Sequence, residues 1–226
     1  MTDYENFVTA IFDRMKCKEL SDPVVCLPVR NSENELVAYL RPITKEFRKN
    51  ESYLPALMTQ WRIENPTIST GVFVPNEERT AKWLDALVIG RPDRMLFTVQ
   101  SLTNQPLGHI GYSNFNFVEG WGELDSVLRG DKKAMPGLMT FATYSLMNWG
   151  YSTLKMKKIK LSVFSDNESA IAFYKRMGFT ETEKKPLYKV IMNGEEKLEI
   201  APQDYSGPIE KYYLQMTYLK GDLNVS

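Results

Sequence analysis

Apolar residues recur with two periods along the chain, one typical of helices and one typical of strands. A helical period over residues 3–16 predicts an amphipathic helix with Phe7, Ile11 and Met15 on one face. The same pattern predicts helices at 52–64, 77–87, 135–149 and 166–177. Apolar or alternating runs predict strands at 24–30, 36–43, 95–100, 106–117, 121–128, 158–164, 186–192, 197–202 and 211–219.

The order of these elements predicts a mixed α/β (α+β) chain. Polar turns at 31–34 and at Asn193-Gly194 predict hairpins, and the strands between 95 and 128 predict an antiparallel meander. A strand, helix, strand and helix then follow in turn. We therefore expect a mostly antiparallel sheet flanked by helices.

Charge and composition favour no macromolecular partner. Lys and Arg together number 28, as do Asp and Glu, so no overall field favours nucleic acid or an anionic membrane. The lysines between 155 and 160 are equally well explained as a solvated helix end and strand face. No apolar run is long enough to span a membrane, and the start MTDYENF lacks the basic segment of a signal peptide. We expect a cytoplasmic protein.

The supply of metal-binding side chains is small. The chain has two cysteines, Cys17 and Cys26, and one histidine, His109, which is too few for a Cys/His zinc cluster. We therefore expect no catalytic metal and reduced thiols.

The segment SDNESAIAFYKRMGF, residues 165–179, has the capping signals of a short helix and also residues at spacings that helix packing does not require. Ser165 and Glu168 have the spacing of a capping box, and Gly178 suits a left-handed residue after the helix. These features alone favour a purely structural helix. The segment also places Asn167 and Tyr174 at fixed intervals before Gly178.

A second segment, VLRGDKKAMPGLM, reads as a strand that breaks into a polar loop before a helix. Pro136 fits the first turn of that helix. Such a loop presents backbone N–H groups and a positive helix end to an anion, with Lys132 and Lys133 adding charge. A plain strand-to-helix connection is the alternative.

Together the strand, the loop, the helix, the strand KIKLSVF and the pattern Asn-x-x-Ala-x-x-x-Tyr-x-x-x-Gly-Phe resemble the Gcn5-related N-acetyltransferase (GNAT) superfamily. The resemblance covers roughly residues 36–192 and implies the GNAT fold. It implies an acetyltransferase domain over 35–226, with 1–34 as a helix and hairpin extension that builds either a homodimer contact or a substrate pocket. Lys132 stands where the family usually has a glycine, so Gly130 is expected to supply the backbone conformational freedom that the loop needs.

The resemblance also implies the cosubstrate, acetyl-coenzyme A, and the residues that hold it. Tyr174 matches the general acid that protonates the departing thiolate, and Asn167 matches a contact to the pantetheine arm, with simple helix capping as its alternative. The predicted cosubstrate-binding residues are Val127, Leu128, Arg129, Gly130, Lys132, Lys133, Ala134 and Asn167. A noncatalytic acyl-coenzyme A module would keep the loop but needs no proton donor or base.

Glu123 and Asp125 stand two residues apart on one predicted strand, so their side chains share a face. Either could accept the proton of the substrate ammonium, and a solvent-facing pair is the alternative. Glu123 is preferred because it resembles the acid that family members place on this strand.

The acceptor amine is the least determined part of the prediction. Trp61-Arg62 resembles a helix end in a branch that acetylates ribosomal-protein N-termini and nucleotide-linked amino sugars, although a core Trp beside a surface Arg is the alternative. With His109 and Tyr112, these residues predict a substrate side that binds a nucleotide-linked amino sugar. A protein N-terminus and a small amine such as a polyamine remain as other acceptors.

Overall fold

A computed structural model describes residues 1–16, 25–66, 71–72, 74–192 and 195–219. The helices of these ranges are Asp3–Lys16 (α1), Phe47–Asn50 (α2), Leu54–Glu64 (α3), Glu77–Trp83 (α4, continued by a π-helical segment Leu84–Ile89), Leu138–Ser152 (α5) and Glu168–Arg176 (α6). The strands are Leu27–Arg30 (β1), Leu36–Pro42 (β2), Gly71–Val72 (β3), Met95–Gln100 (β4), Pro106–Asn116 (β5), Trp121–Arg129 (β6), Lys158–Phe164 (β7), Thr180–Met192 (β8), Glu195–Ile200 (β9) and Lys211–Leu219 (β10). The predicted turn at Asn193-Gly194 and Cys17 lie outside the described residues.

One sheet joins all the strands of the described residues, in the order β1-β2-β4-β5-β6-β7-β10-β8-β9-β3. Strands β6 and β7 pair in parallel, and the other neighbours pair antiparallel. The predicted α/β fold with a mostly antiparallel sheet and flanking helices is therefore confirmed.

Apolar side chains pack on both faces of the sheet. On one face α1 and α5 cover residues such as Leu124 and Ile159, and this is the larger cluster. On the other face α3 and the π-helical segment pack over a smaller cluster that includes Leu96 and Leu128. The site described below includes Leu128 of this second cluster, whereas its Tyr174 belongs to the larger cluster.

Helix α1 packs with a face shifted from the one predicted, because Ile11 and Met15 pack in the larger cluster and Phe7 does not. Val8 and Phe12 are fully buried with Met15, while Phe7 is 43% exposed. The prediction for Phe7 was wrong because both faces of this helix carry apolar residues, and contact with Phe115 and Trp149 selects the Phe12 face. The assignment of residues 1–34 as an extension, and its use in a homodimer, stay predictions.

Helices α5 and α6 begin later than the sequence predicted. Gly137, with a φ of 80°, precedes the first residue of α5, so Pro136 lies in the turn before the helix rather than in its first turn. Asn167, not Ser165, caps α6, since its side-chain oxygen accepts a hydrogen bond from the Ala170 N–H at 3.1 Å.

The predicted end of α6 is confirmed in detail. Gly178 has a φ of 92°, and its N–H donates to Lys175 O at 3.0 Å. The Phe179 N–H donates to Tyr174 O at 3.0 Å, which completes a Schellman motif. This C-terminal motif fixes the position of Tyr174 in the last turn of α6.

Candidate active site

Strands β6 and β7 pair over only a short length and then separate. Their ladder joins Trp121 to Lys158, Gly122 to Ile159 and Glu123 to Lys160. Beyond Glu123, β6 continues beside β5 and β7 continues beside β10. The edge of β6 from Asp125 to Arg129, which includes the predicted residues Val127 and Leu128, therefore lies outside the ladder with β7.

A bulge in β6 coincides with this separation. Ser126 has a φ of 53°, and the pairing with β5 shifts register between His109 and Gly111. The Nδ1 atom of His109 lies 2.6 Å from the carbonyl oxygen of Ser126. Because a carbonyl only accepts, Nδ1 carries the proton and Nε2 is unprotonated. His109 thus satisfies the polar group that the bulge releases.

The buried position of His109 also decides its charge. Burial lowers the pKa of His109 to about 4, against the opposing effect of its bond to Ser126. The imidazole is therefore neutral at neutral pH. It is a structural support of the bulge rather than a cation for a phosphate.

Glu123 and Asp125 share one face of β6, as predicted, but they have different partners. Asn114 Nδ2 donates to Glu123 Oε2 at 2.9 Å, whereas Arg94 Nη2 lies 2.6 Å from Asp125 Oδ2. Burial, followed by the charge of Asp125, raises the pKa of Glu123 against the lowering effect of the Asn114 bond. Asp125 is held by a cation and Glu123 by a neutral amide.

The sequence reasoning missed Arg94. Its Nη2 also donates to Ser126 Oγ at 3.1 Å, and its guanidinium lies 5.0 Å from the centroid of the Trp83 ring. Its Nε is buried without a hydrogen-bond partner among the described residues. Arg94 joins the acid, the bulge and α4, although no local sequence pattern distinguishes it from other arginines.

Tyr174 and Tyr213 lie close enough to Asp125 for its charge to act on both phenols. Burial and then the charge of Asp125 raise the pKa of Tyr174 well above its usual range. Burial, followed by Asp125 and Glu123, raises the pKa of Tyr213 to about 12. Both phenols keep their protons at neutral pH. Tyr213, stacked 4.9 Å from Phe164, was also missed because it comes from the last strand.

The loop after β6 is organised by Arg129. The Nη2 atom of Arg129 donates to Lys132 O at 2.7 Å and to Ala134 O at 2.6 Å. The guanidinium therefore holds loop carbonyls and acts on a ligand through the position of the loop. The exposed side chains of Lys132 and Lys133 and the positive N-terminal end of α5 can meet an anion.

Gly130 is required for space, not for conformational freedom. Its φ is not positive, and a Cβ built on it would lie 2.1 Å from Cε2 of Trp61. Trp61 is buried in the cluster under α3, with its ring 6.0 Å from that of His109. Trp61 is therefore a core residue, which was the alternative to a substrate contact, and its ring packs against the loop at Gly130. Arg62 follows it and is half-buried, which lowers its pKa.

Two predicted ligand contacts have mainly structural partners. Tyr112 is fully buried among Phe115 and Trp149, and its hydroxyl donates to Leu146 O at 3.1 Å. It faces the α5 side of the sheet, so the structure does not bring it to the substrate side. Asn167 Oδ1 is used in capping α6.

Two kinds of feature are absent from the described residues. No group of three or more His, Cys, Asp or Glu side chains there could hold a metal ion. No helix among them is both long and apolar enough to cross a membrane.

Comparison with known proteins gives one match to a family and many similar folds. The family model described as an acetyltransferase (GNAT) domain matches residues 38–180. No curated protein sequence matches significantly.

Among solved structures, a probable GNAT-family acetyltransferase from Chromobacterium violaceum has a TM-score of 0.62 at 16% identity, covering 89% of this chain and 96% of that one. A mutant spermidine/spermine N-acetyltransferase from Vibrio cholerae has a TM-score of 0.54 at 15% identity, covering 80% and 93%. A dodecameric spermidine N-acetyltransferase from the same organism has a TM-score of 0.54 at 18% identity, covering 84% and 98%. These identities establish a shared fold.

The family match spans the bulged strand, the loop after it and the α6 motif with Tyr174. It thus covers the segments from which the resemblance was predicted, and that prediction is confirmed. The chain belongs to the GNAT acetyltransferase family and is an acetyl-CoA-dependent N-acetyltransferase.

Proposed function

We propose that this enzyme transfers the acetyl group of acetyl-CoA to the primary amine of a small molecule. One arrangement carries the proposal, namely that Glu123 lies where β6 and β7 separate and that Tyr174 is close enough to Asp125, on the same face of β6, for its charge to act on the phenol. A proton acceptor and a proton donor near one gap suit transfer between an amine and a thioester.

The acetyl-CoA side is formed by the loop and the free edge of β6. Lys132, Lys133 and the N-terminus of α5 suit the phosphates, while Gly130 and Ala134 shape the loop. The backbone edge at Val127 and Leu128 suits the amide groups of the pantetheine arm, and Asn167 at the start of α6 is the other predicted contact to that arm. When bound there, acetyl-CoA supplies the activated acetyl group.

Glu123 is the better candidate for the base. Asp125 Oδ2 is already paired with Arg94 Nη2 at 2.6 Å, whereas the side-chain partner of Glu123 is the neutral amide of Asn114. The pKa of Glu123 is raised by burial, which moves it toward neutral pH. Glu123 therefore takes a proton from the acceptor ammonium, directly or through water.

Tyr174 is the proposed donor to the leaving sulfur. Its raised pKa keeps it protonated, and its ring is fixed between Phe173 and Phe179. The burial that raises this pKa also disfavours a bare thiolate beside it, so a hydrogen bond from the phenol stabilises the developing charge.

The acceptor side favours a small molecule over a peptide. Strand β3, which follows α3, pairs with β9, and Arg79 of α4 forms a bidentate ion pair with Glu195 at the start of β9. These contacts tie the β8–β9 hairpin to the helices. The solved structures reported above include enzymes named for the small amines spermidine and spermine.

The expected nucleotide-linked amino sugar has no such support. Its predicted aromatic and cationic surface included Trp61, His109 and Tyr112, which are 4%, 7% and 0% exposed. Buried rings and a neutral histidine do not present a surface for a base or a diphosphate.

The proposal is tested by following coenzyme A release with acetyl-CoA and a panel of primary amines. Tyr174→Phe should lower kcat about 100-fold or more, because only the donated proton is lost. Affinity for acetyl-CoA should stay within a factor of two or so, since the ring still packs.

Tyr212→Phe is the matched control. Tyr212 lies on β10 next to Tyr213 but is 38% exposed, and Lys184 covers its ring. This control should keep full activity. The proposed role fails if Tyr174→Phe and Tyr212→Phe turn over alike while chemistry is rate-limiting, and the proposed function fails if no amine is acetylated.

A further inference from the structure

The charged side chains around Glu123 balance one another. Arg94 is paired with Asp125 and Lys185 with Glu183, the latter at 3.3 Å between Nζ and Oε2. Among the described residues, Glu123 and Lys160 remain as the charged groups of this face without an ion pair to each other or to these neighbours. The acceptor side therefore offers one carboxylate for one ammonium, with cations close by.

Lys160 is the first of these cations. It stands directly opposite Glu123 in the β6–β7 ladder, and its Nζ lies 4.1 Å above the centroid of the Trp121 ring. Trp121 holds the ammonium on the face that carries Glu123, since residues two apart on β6 share a face. The charge of Lys160 also lowers the pKa of Glu123.

Lys185 is the second cation. It stands opposite Tyr213 in the β10–β8 ladder, and its charge also lowers the pKa of Glu123. Its ion pair with Glu183 is long, and the Glu183 side chain is 55% exposed. Because the pair is long and its Glu183 end is exposed, it contributes little and exchanges readily for a better anion.

We infer that the acceptor is a zwitterion, a primary amine that also carries a carboxylate, whose carboxylate is bound by Lys160 and Lys185 while its ammonium meets Glu123. This inference rests on the proposed function and names its substrate class. A polyamine would place a second ammonium beside these lysines without a carboxylate to receive it. An amino acid satisfies both charges.

The test compares acceptors that differ only in the anionic group. Straight-chain α-, β- and γ-amino acids are each paired with their carboxamides, and spermidine and butylamine complete the panel. The measured quantity is kcat/KM with saturating acetyl-CoA. An ion-paired hydrogen bond of the usual strength predicts that at least one amino acid exceeds its carboxamide by roughly 10- to 100-fold.

Variants assign that preference to residues. Lys185→Met and Lys160→Met should each reduce the carboxylate-to-carboxamide ratio about 10-fold, mainly through KM, and Lys185→Arg should retain most of it. Lys189→Met is the matched control, because Lys189 lies on the same strand but pairs with Glu196. The control should leave the ratio unchanged.

The outcomes separate this inference from the proposed function. Turnover of spermidine or of carboxamides as fast as any amino acid overturns the zwitterion and leaves the acetyltransferase proposal intact. A carboxylate preference that both lysine variants preserve overturns the assignment to these residues. No turnover of any amine, despite acetyl-CoA binding, overturns the proposed function and the inference with it.

Discussion

Gly130→Ala is the sharpest test of how the loop is built. The new Cβ would lie 2.1 Å from Cε2 of Trp61 and 2.4 Å from Cδ2 and Cζ2. Carbon atoms pack at about 3.5 Å or more, so the overlap is roughly 1.4 Å. Trp61 is 4% exposed and cannot swing into solvent, so the loop or α3 must shift.

The cost follows from that overlap. Overpacking a core costs about 1–3 kcal/mol, and an overlap of this size against a rigid ring predicts the upper end of that range. A loss of about 3 kcal/mol lowers the Tm of a domain of this size by roughly 6–12 °C. Because the loop moves away from Trp61, the KM for acetyl-CoA should also rise, by about 10-fold.

Thermal unfolding and steady-state kinetics measure both effects, and a double-mutant cycle tests their cause. In a Trp61→Leu background the added methyl finds room, so Gly130→Ala should cost at least 1 kcal/mol less than in the wild type. Gly137→Ala is the contrast, since its cost arises from a φ of 80° and should not depend on Trp61. A cost for Gly130→Ala that is absent, or unchanged by Trp61→Leu, would refute the steric argument.

Three other predictions concern acid–base groups and the loop. In the wild type kcat/KM should rise with pH through the raised pKa of Glu123, because the base acts when deprotonated. Glu123→Gln should lower the rate about 100-fold or more and abolish this rise, which a pH–rate profile measures. His109 has a pKa of about 4 in the folded protein against an ordinary value of 6.5, so as the pH falls the unfolded chain takes up this proton before the folded one. The free energy of unfolding should therefore fall by about 3 kcal/mol as pH drops from 6.5 to 4. Urea titrations across that range should show a smaller fall in His109→Gln, and an equal fall would contradict the assignment. Arg129→Met should raise the KM for acetyl-CoA about 10-fold with little change in kcat, whereas Lys132→Met, which removes only an exposed charge, should raise it about 2- to 3-fold.

Local patterns in the sequence predicted many of the helices and strands. Apolar or alternating runs placed β4, β5 and β6 correctly, and Gly178 marked the end of α6, because each depends on neighbours in the chain. The start of α5 was missed because Pro136 suits a first turn, while the left-handed φ of Gly137 ends the preceding turn one residue later. Both residues fit a helix start, and only the loop's packing decides between them.

The site was predictable where residues stand on one element and not where elements meet. Glu123 and Asp125 share a strand face, and Tyr174 follows the family pattern. Arg94 and Tyr213 reach the acids only because β4, β6 and β10 come together in the sheet. No spacing in the sequence records that arrangement. For the same reason the burial of Tyr112 was not foreseen.

The bulge at Ser126 explains why the acid pair and the phosphate loop form one unit. In a regular strand Asp125 and Leu128 would face opposite sides of the sheet. The extra residue brings both to the face of the smaller cluster, while Val127 turns toward α5. Two side chains hold this geometry, since His109 binds the carbonyl of Ser126 and Arg94 binds its hydroxyl while also holding Asp125. A change that loosens the bulge therefore alters the approach of the acceptor and the position of the loop together, so substitutions at His109 or Arg94 should shift the KM values of both substrates.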